Sequence, residues 1–90
     1  MPYIKNNRKV ELNLSITQIN SLSEIGENCK NAGELNYTIT KIIHGYLKEN
    51  GGRYQQYNDI LGALEGSKLE LYRRKLAPYE DIKIKENGDV

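Results

Sequence analysis

Apolar residues recur along this chain with a helical period. The clearest block is residues 32–50, where Leu35, Ile39, Ile42, Ile43, Tyr46 and Leu47 fall at i, i+4, i+7, i+8, i+11 and i+12 and make one continuous face. Asn31 and Glu34 stand at capping-box spacing, so that the Asn31 side chain can accept from the amide of Glu34 while Glu34 reaches back to the amide of Asn31. Asn50-Gly51-Gly52 supplies the stop, since glycine takes the left-handed conformation after the last turn, and Lys48 suits the negative end of the dipole. The spacing predicts a helix over about 32–50.

The longest stretch able to form a helix is NDILGALEGSKLELYRRKLAPY, residues 58–79. With Asn58 as N-cap and Asp59 in the first turn, the pattern predicts a helix over about 57–77. Tyr57, Ile60, Leu61, Leu64 and Leu71 form one apolar strip and Leu69, Tyr72 and Leu76 a second. Two strips on one helix call for two neighbours: the rest of the fold, and either the C-terminal tail or a second subunit. Pro78 has no N–H and clashes with the carbonyl four residues back, so the chain is expected to kink or stop near residues 74–77. The tail YEDIKIKENGDV is charged, and its IKIK suits either a short extended piece or a helical turn.

Residues 1–28 carry two patterns. Val10, Leu12, Leu14 and Ile16 alternate with polar residues, as in a half-buried strand; Leu12, Ile16, Ile19, Leu22 and Ile25 recur at four, three, three and three, as in a helix. The helical stripe outlasts the alternation, which favours a helix over roughly 7–26, capped by Asn6 or Asn7 and ended by Gly26 with Asn28. Short connections then predict an all-α fold, a three-helix antiparallel bundle with a kinked, charged tail over 78–90 that has room for a short fourth helix. The whole of 1–90 makes one domain, with a core of Leu12, Ile16, Ile19, Leu22, Leu35, Ile39, Ile42, Ile43, Tyr46, Leu47, Ile60, Leu61, Leu64 and Leu71.

Composition narrows the reading. A chain of 90 residues buries only roughly 60–65% of its unfolded surface, so association would help stabilise it. Its aromatics are seven tyrosines with no Phe or Trp, which leaves phenols at the margin of a thin core. The net charge of +1 is not the footprint of a dedicated nucleic-acid binder or of a polybasic membrane-surface protein. A single cysteine, Cys29, allows no internal disulfide and fits a reducing cytoplasm. MPYIKNNRK turns polar at once, so no secretory leader is expected, and no apolar run approaches the ~18 residues of a membrane span.

Candidate chemistry is sparse. His44, the only histidine, has no second histidine to share a metal and reads best as an exposed side chain on the helix flank near Tyr37. Cys29, beside Lys30 in a predicted loop, lacks a resolving partner. Glu24 and Glu27 have ExxE spacing and Glu65 is helical, the residue type of Mg²⁺-dependent helical hydrolases, but no facing pair is evident. Arg73, Arg74 and Lys75 follow Tyr72 and precede Tyr79, and could clamp a phosphate or acidic partner with a ring available for stacking. The plainer account is a helix end whose cations offset the dipole and pair with Glu70. Gly62 and Gly66 would each cost roughly 1 kcal/mol inside a helix, which points to close helix–helix packing, within the fold or across a dimer.

The strings ELNYTITKIIHGYLKENG, LGALEGSKLELYRRKLAPYED and ENGDV, with MPYI at the start, resemble a family of small bacterial and phage proteins classed as a domain of unknown function. The resemblance covers nearly the whole chain. It implies a helical first segment, and it implies that Asn36, Tyr37, Tyr72, Arg73, Arg74, Pro78 and Tyr79 belong to the family pattern. It implies no activity. The expected function is therefore a non-enzymatic protein-interaction or self-association module, a homodimer through the helix at 57–77 and the tail at 78–90, with no cofactor and no metal. An accessory nucleic-acid binder acting through Tyr72, Arg73, Arg74, Lys75 and Tyr79 is the alternative.

Overall fold

The structure, a computed structural model, describes residues 3–14 and 22–90, with only the backbone of 13 and 14. The chain is all-α: α1 spans Asn6–Leu14, α2 Leu22–Glu27, α3 Ala32–Asn50 and α4 Tyr54–Leu71, followed by a π-helical turn at Tyr72–Leu76 and α5 at Ala77–Asn87. The described part of the first segment is helical, not extended. Of its expected span, 15–21 lies outside the described residues, and with it Ile16 and Ile19. Two compact units divide the chain, residues 3–57 and residues 58–90.

α1 starts on Lys5, whose carbonyl accepts from the amides of Arg8 and Lys9 at 3.1 Å each, one residue earlier than an Asn6 or Asn7 cap. α2 ends as its sequence suggests. Asn28 returns both its amide and its side-chain nitrogen to the Glu24 carbonyl, at 3.2 and 2.9 Å.

α3 occupies the expected span. Asn31, in extended conformation, accepts from the Glu34 amide at 2.9 Å. The reciprocal half of the box is shifted by one residue: the Glu34 carboxylate accepts from the amide of Lys30 at 2.8 Å, not from that of Asn31. At the far end Gly51 adopts φ +94°, a region that a side chain would strain, and its amide donates to the Leu47 carbonyl at 2.9 Å.

The following helical run departs from expectation at both ends. α4 begins at Tyr54, because Gln56 accepts from the amide of Arg53 at 3.2 Å while the Arg53 carbonyl accepts from the amides of Gln56 and Tyr57. Asn58 is consequently interior and caps nothing. Pro78 does not end the helix either. The π turn precedes it, with the Ala77 amide donating five residues back to Tyr72, and α5 then continues to Gly88, where φ is +86°. The wider turn shifts the hydrogen-bond register just where the proline offers no N–H, so chain direction survives a residue that cannot take its place in an α ladder. The fourth helix is thus present, IKIK is helical, and α4 joins α5 without a non-helical break.

No side chain among the described residues is buried. Leu22, Leu35, Ile42, Tyr46, Leu61, Leu64 and Leu71, all expected in the core, are exposed, and Leu12, Ile39, Ile43, Leu47 and Ile60 are half-buried. A helix buries only the stripe that another element covers, so the rest of a wide apolar face stays in water.

Candidate functional site

The basic cluster lies in and beside the π turn. Arg73 and Arg74 stand three and four residues after Glu70, and that helical spacing brings both guanidinium groups to one carboxylate oxygen, Arg73 Nη2 at 3.5 Å and Arg74 through Nε. The Glu70 side chain is 23% exposed against 67% and 58% for the arginines, so the carboxylate sits beneath them and neutralises part of the patch. Lys75 is exposed. This is the plainer of the two readings of YRRK, in which the cations serve the helix.

Tyr72 and Tyr79 are half exposed. The Glu80 carboxylate, by its charge and by the hydrogen bond it accepts from the phenol, pushes the Tyr72 pKa above its ordinary value; slight desolvation and the charge of Asp81 act the same way. Glu80 has no place in the sequence-based site. The signal that could have found it is an acidic residue eight positions on in the same helical run. The Lys83 ammonium lies 5.5 Å from the Tyr79 ring centroid and 3.1 Å from Glu86. Every candidate in this segment therefore has a local electrostatic partner or faces solvent, and none is held in a closed pocket.

Tyr37 and His44 belong to the other unit, on α3, two turns apart and both exposed. Lys41 lies 5.8 Å from the Tyr37 centroid. Tyr37 also lines an open hollow of about 580 Å³ at the α2–α3 elbow, together with Ile25, Cys29, Gly33 and Thr38. The Cys29 sulfur is 3.5 Å from the Ile25 carbonyl and 3.4 Å from the Thr38 hydroxyl, which itself donates to Glu34 at 2.9 Å. The thiol thus fastens the elbow, and the polar atoms of the wall bond to one another. Gly62 opens onto empty space, and a Cβ built there meets nothing within 4 Å. Gly66 is half-buried.

Among the described residues no three His, Cys, Asp or Glu side chains could share a metal ion, and no helix is long and apolar enough to cross a membrane. The Glu65 carboxylate is engaged by Lys68 at 3.5 Å. The model of a family described as Domain of unknown function (DUF6899) matches residues 1–90, and the chain belongs to that family. No curated protein and no solved structure matches it.

Proposed function

We propose, with that family membership as the premise, that the chain is a non-enzymatic self-association module whose contact surface lies on the helical run from α4 through α5. The observation that carries this is the line of large apolar side chains left in solvent there: Leu61, Leu64, Leu71 and Leu76 are each at least 39% exposed. Monomeric proteins seldom leave a contiguous apolar surface of this kind open, and a thin-cored chain gains most from covering it. The lone Cys29 suits a reducing compartment, and the reading places the protein in the cytoplasm.

The nucleic-acid alternative has thinner support. Its two arginines share Glu70, and the whole chain carries a charge of only +1. Sedimentation velocity across the micromolar range tests the proposal. A dimer mass is expected; a monomer at every concentration, with a salt-dependent shift of DNA or RNA that weakens when Arg73 and Arg74 become Ala, would replace it with the alternative.

A further inference from the structure

We infer that the surface is covered by a second copy of this chain, laid antiparallel along a seam of Leu61, Leu64, Leu71, Leu76 and Tyr79, and that the π turn exists to keep this seam on one face. The inference rests on the self-association reading and deepens it.

The register comes first. Leu61, Leu64, Lys68 and Leu71 step by three, four and three, the spacing of a coiled-coil seam. An unbroken α-helix would continue it at Lys75 and Pro78, a cation and a proline. The apolar residues come one position late, at Leu76 and Tyr79. In an α-helix the five-residue step from Leu71 to Leu76 ends about 140° away from the starting face. A π turn bonds i to i+5, so five residues there do what four do in an α turn, and Leu76 returns to the line. The five seam residues are 65, 39, 61, 45 and 56% exposed, while Gly66 and Glu70, on the other side of the helix, are half-buried, as is Ile60 at the near end of the seam.

Charge identifies the occupant. Residues 58–71 hold Asp59, Glu65 and Glu70 against Lys68 alone; residues 72–87 hold five cations against three carboxylates. A parallel copy would set like against like and place Lys68 opposite its own counterpart in the seam. An antiparallel copy, related by a two-fold axis at the π turn, lays the acidic half of each helix over the basic half of the other. In that arrangement Leu71 packs on Leu76 of the second copy, and Lys68 lies over the ring of its Tyr79. Helix dipoles also oppose in this sense. The seam side chains leave on the order of 400–600 Å² of surface per copy, a large part of the ~800 Å² per partner in a standard interface.

The test separates the face, the direction and the underlying reading. Leu71→Glu, and independently Leu76→Glu, should raise the dimer Kd at least ~30-fold, a hot-spot loss, with helicity by circular dichroism unchanged. Gly62→Leu, on a neighbouring open face where a larger side chain meets nothing within 4 Å, should leave the dimer intact. In a Cys29→Ser background, Lys68→Cys and Tyr79→Cys chains mixed with a short bis-maleimide should give the heterologous cross-link, and Lys68→Cys alone should give none. Dissociation by Gly62→Leu with none by the glutamates would overturn the seam and leave self-association standing. Self-cross-linking of Lys68→Cys without the mixed product would overturn the antiparallel direction. A wild-type monomer removes both levels.

Discussion

Residues 32–50 and residues 54–87 are both long helical runs, but they keep their shape by different means. α3 is bounded by side chains acting on adjacent backbone: Asn31 and Glu34 at one end, Gly51 at the other, with the Asn50 amide also donating to the Tyr46 carbonyl at 3.0 Å. Between these ends its register is uniform. The second run holds two residues that ordinarily mark a helix boundary, Asn58 and Pro78, and passes through both. At Asn58 a better start already exists one turn earlier. At Pro78 the ladder changes register for one turn and then resumes. A breaker therefore breaks a helix only where the neighbouring turn has no alternative bonding.

The sharpest way to break this comparison is to exchange the prolines. Ile42→Pro, in the middle of α3 at a position already 60% exposed, should cost about 3 kcal/mol or more, because no widened turn precedes it. Pro78→Ala should change stability by less than about 1 kcal/mol. Urea unfolding followed by circular dichroism reads both, and a small effect of Ile42→Pro would show that the chain can improvise a π turn anywhere. Next in size are the asparagines. Asn31→Ala should cost about 1 kcal/mol through the lost cap, whereas Asn58→Ala should be neutral or slightly stabilising, since alanine is the better interior residue. Equal losses would mean that α4 starts at Asn58 after all.

The smallest effect concerns the π turn itself. The folded-state pKa of Tyr72 lies above its unfolded value of 10.0. The folded chain therefore holds the phenol proton more tightly, so the contribution is complete below pH 10 and is lost as pH rises through the folded value. Alkaline titration of helicity should show a slight loss in that window that Tyr72→Phe abolishes. An unchanged profile in the variant would place the transition on another tyrosine.

These contrasts also mark what the sequence made legible. α3 was readable to the residue because both ends carry cap chemistry within four positions of the boundary. The all-α class was readable from periodicity. The start of α4 was missed because Arg53 is not a customary cap residue, although Gln56 stands at box spacing from it. The π turn was missed because a period of 3.6 was carried through Leu71–Leu76, which put Leu76 on a second strip with Leu69. Among the described residues the expected core is not fully buried for a different reason: a stripe of leucines states that something must cover it and is silent on whether the cover comes from the same chain. Of the site, the Glu70 pairing was visible in the i+3 and i+4 spacing. The influence of Glu80 on Tyr72 was not, since the two stand eight residues apart.

The widened turn has a consequence for how this chain can change length. Losing or gaining one codon in a helix swings everything downstream by about 100°, which would scatter an apolar line around the cylinder. Across Tyr72–Leu76 the molecule already accommodates one residue in surplus. Deleting a single residue there would return the run to an ordinary spiral, with the downstream leucine and tyrosine at the usual three-and-four beat. For this helix, then, a frame-preserving deletion there would keep the apolar line but leave Pro78 without the widened turn that accommodates it.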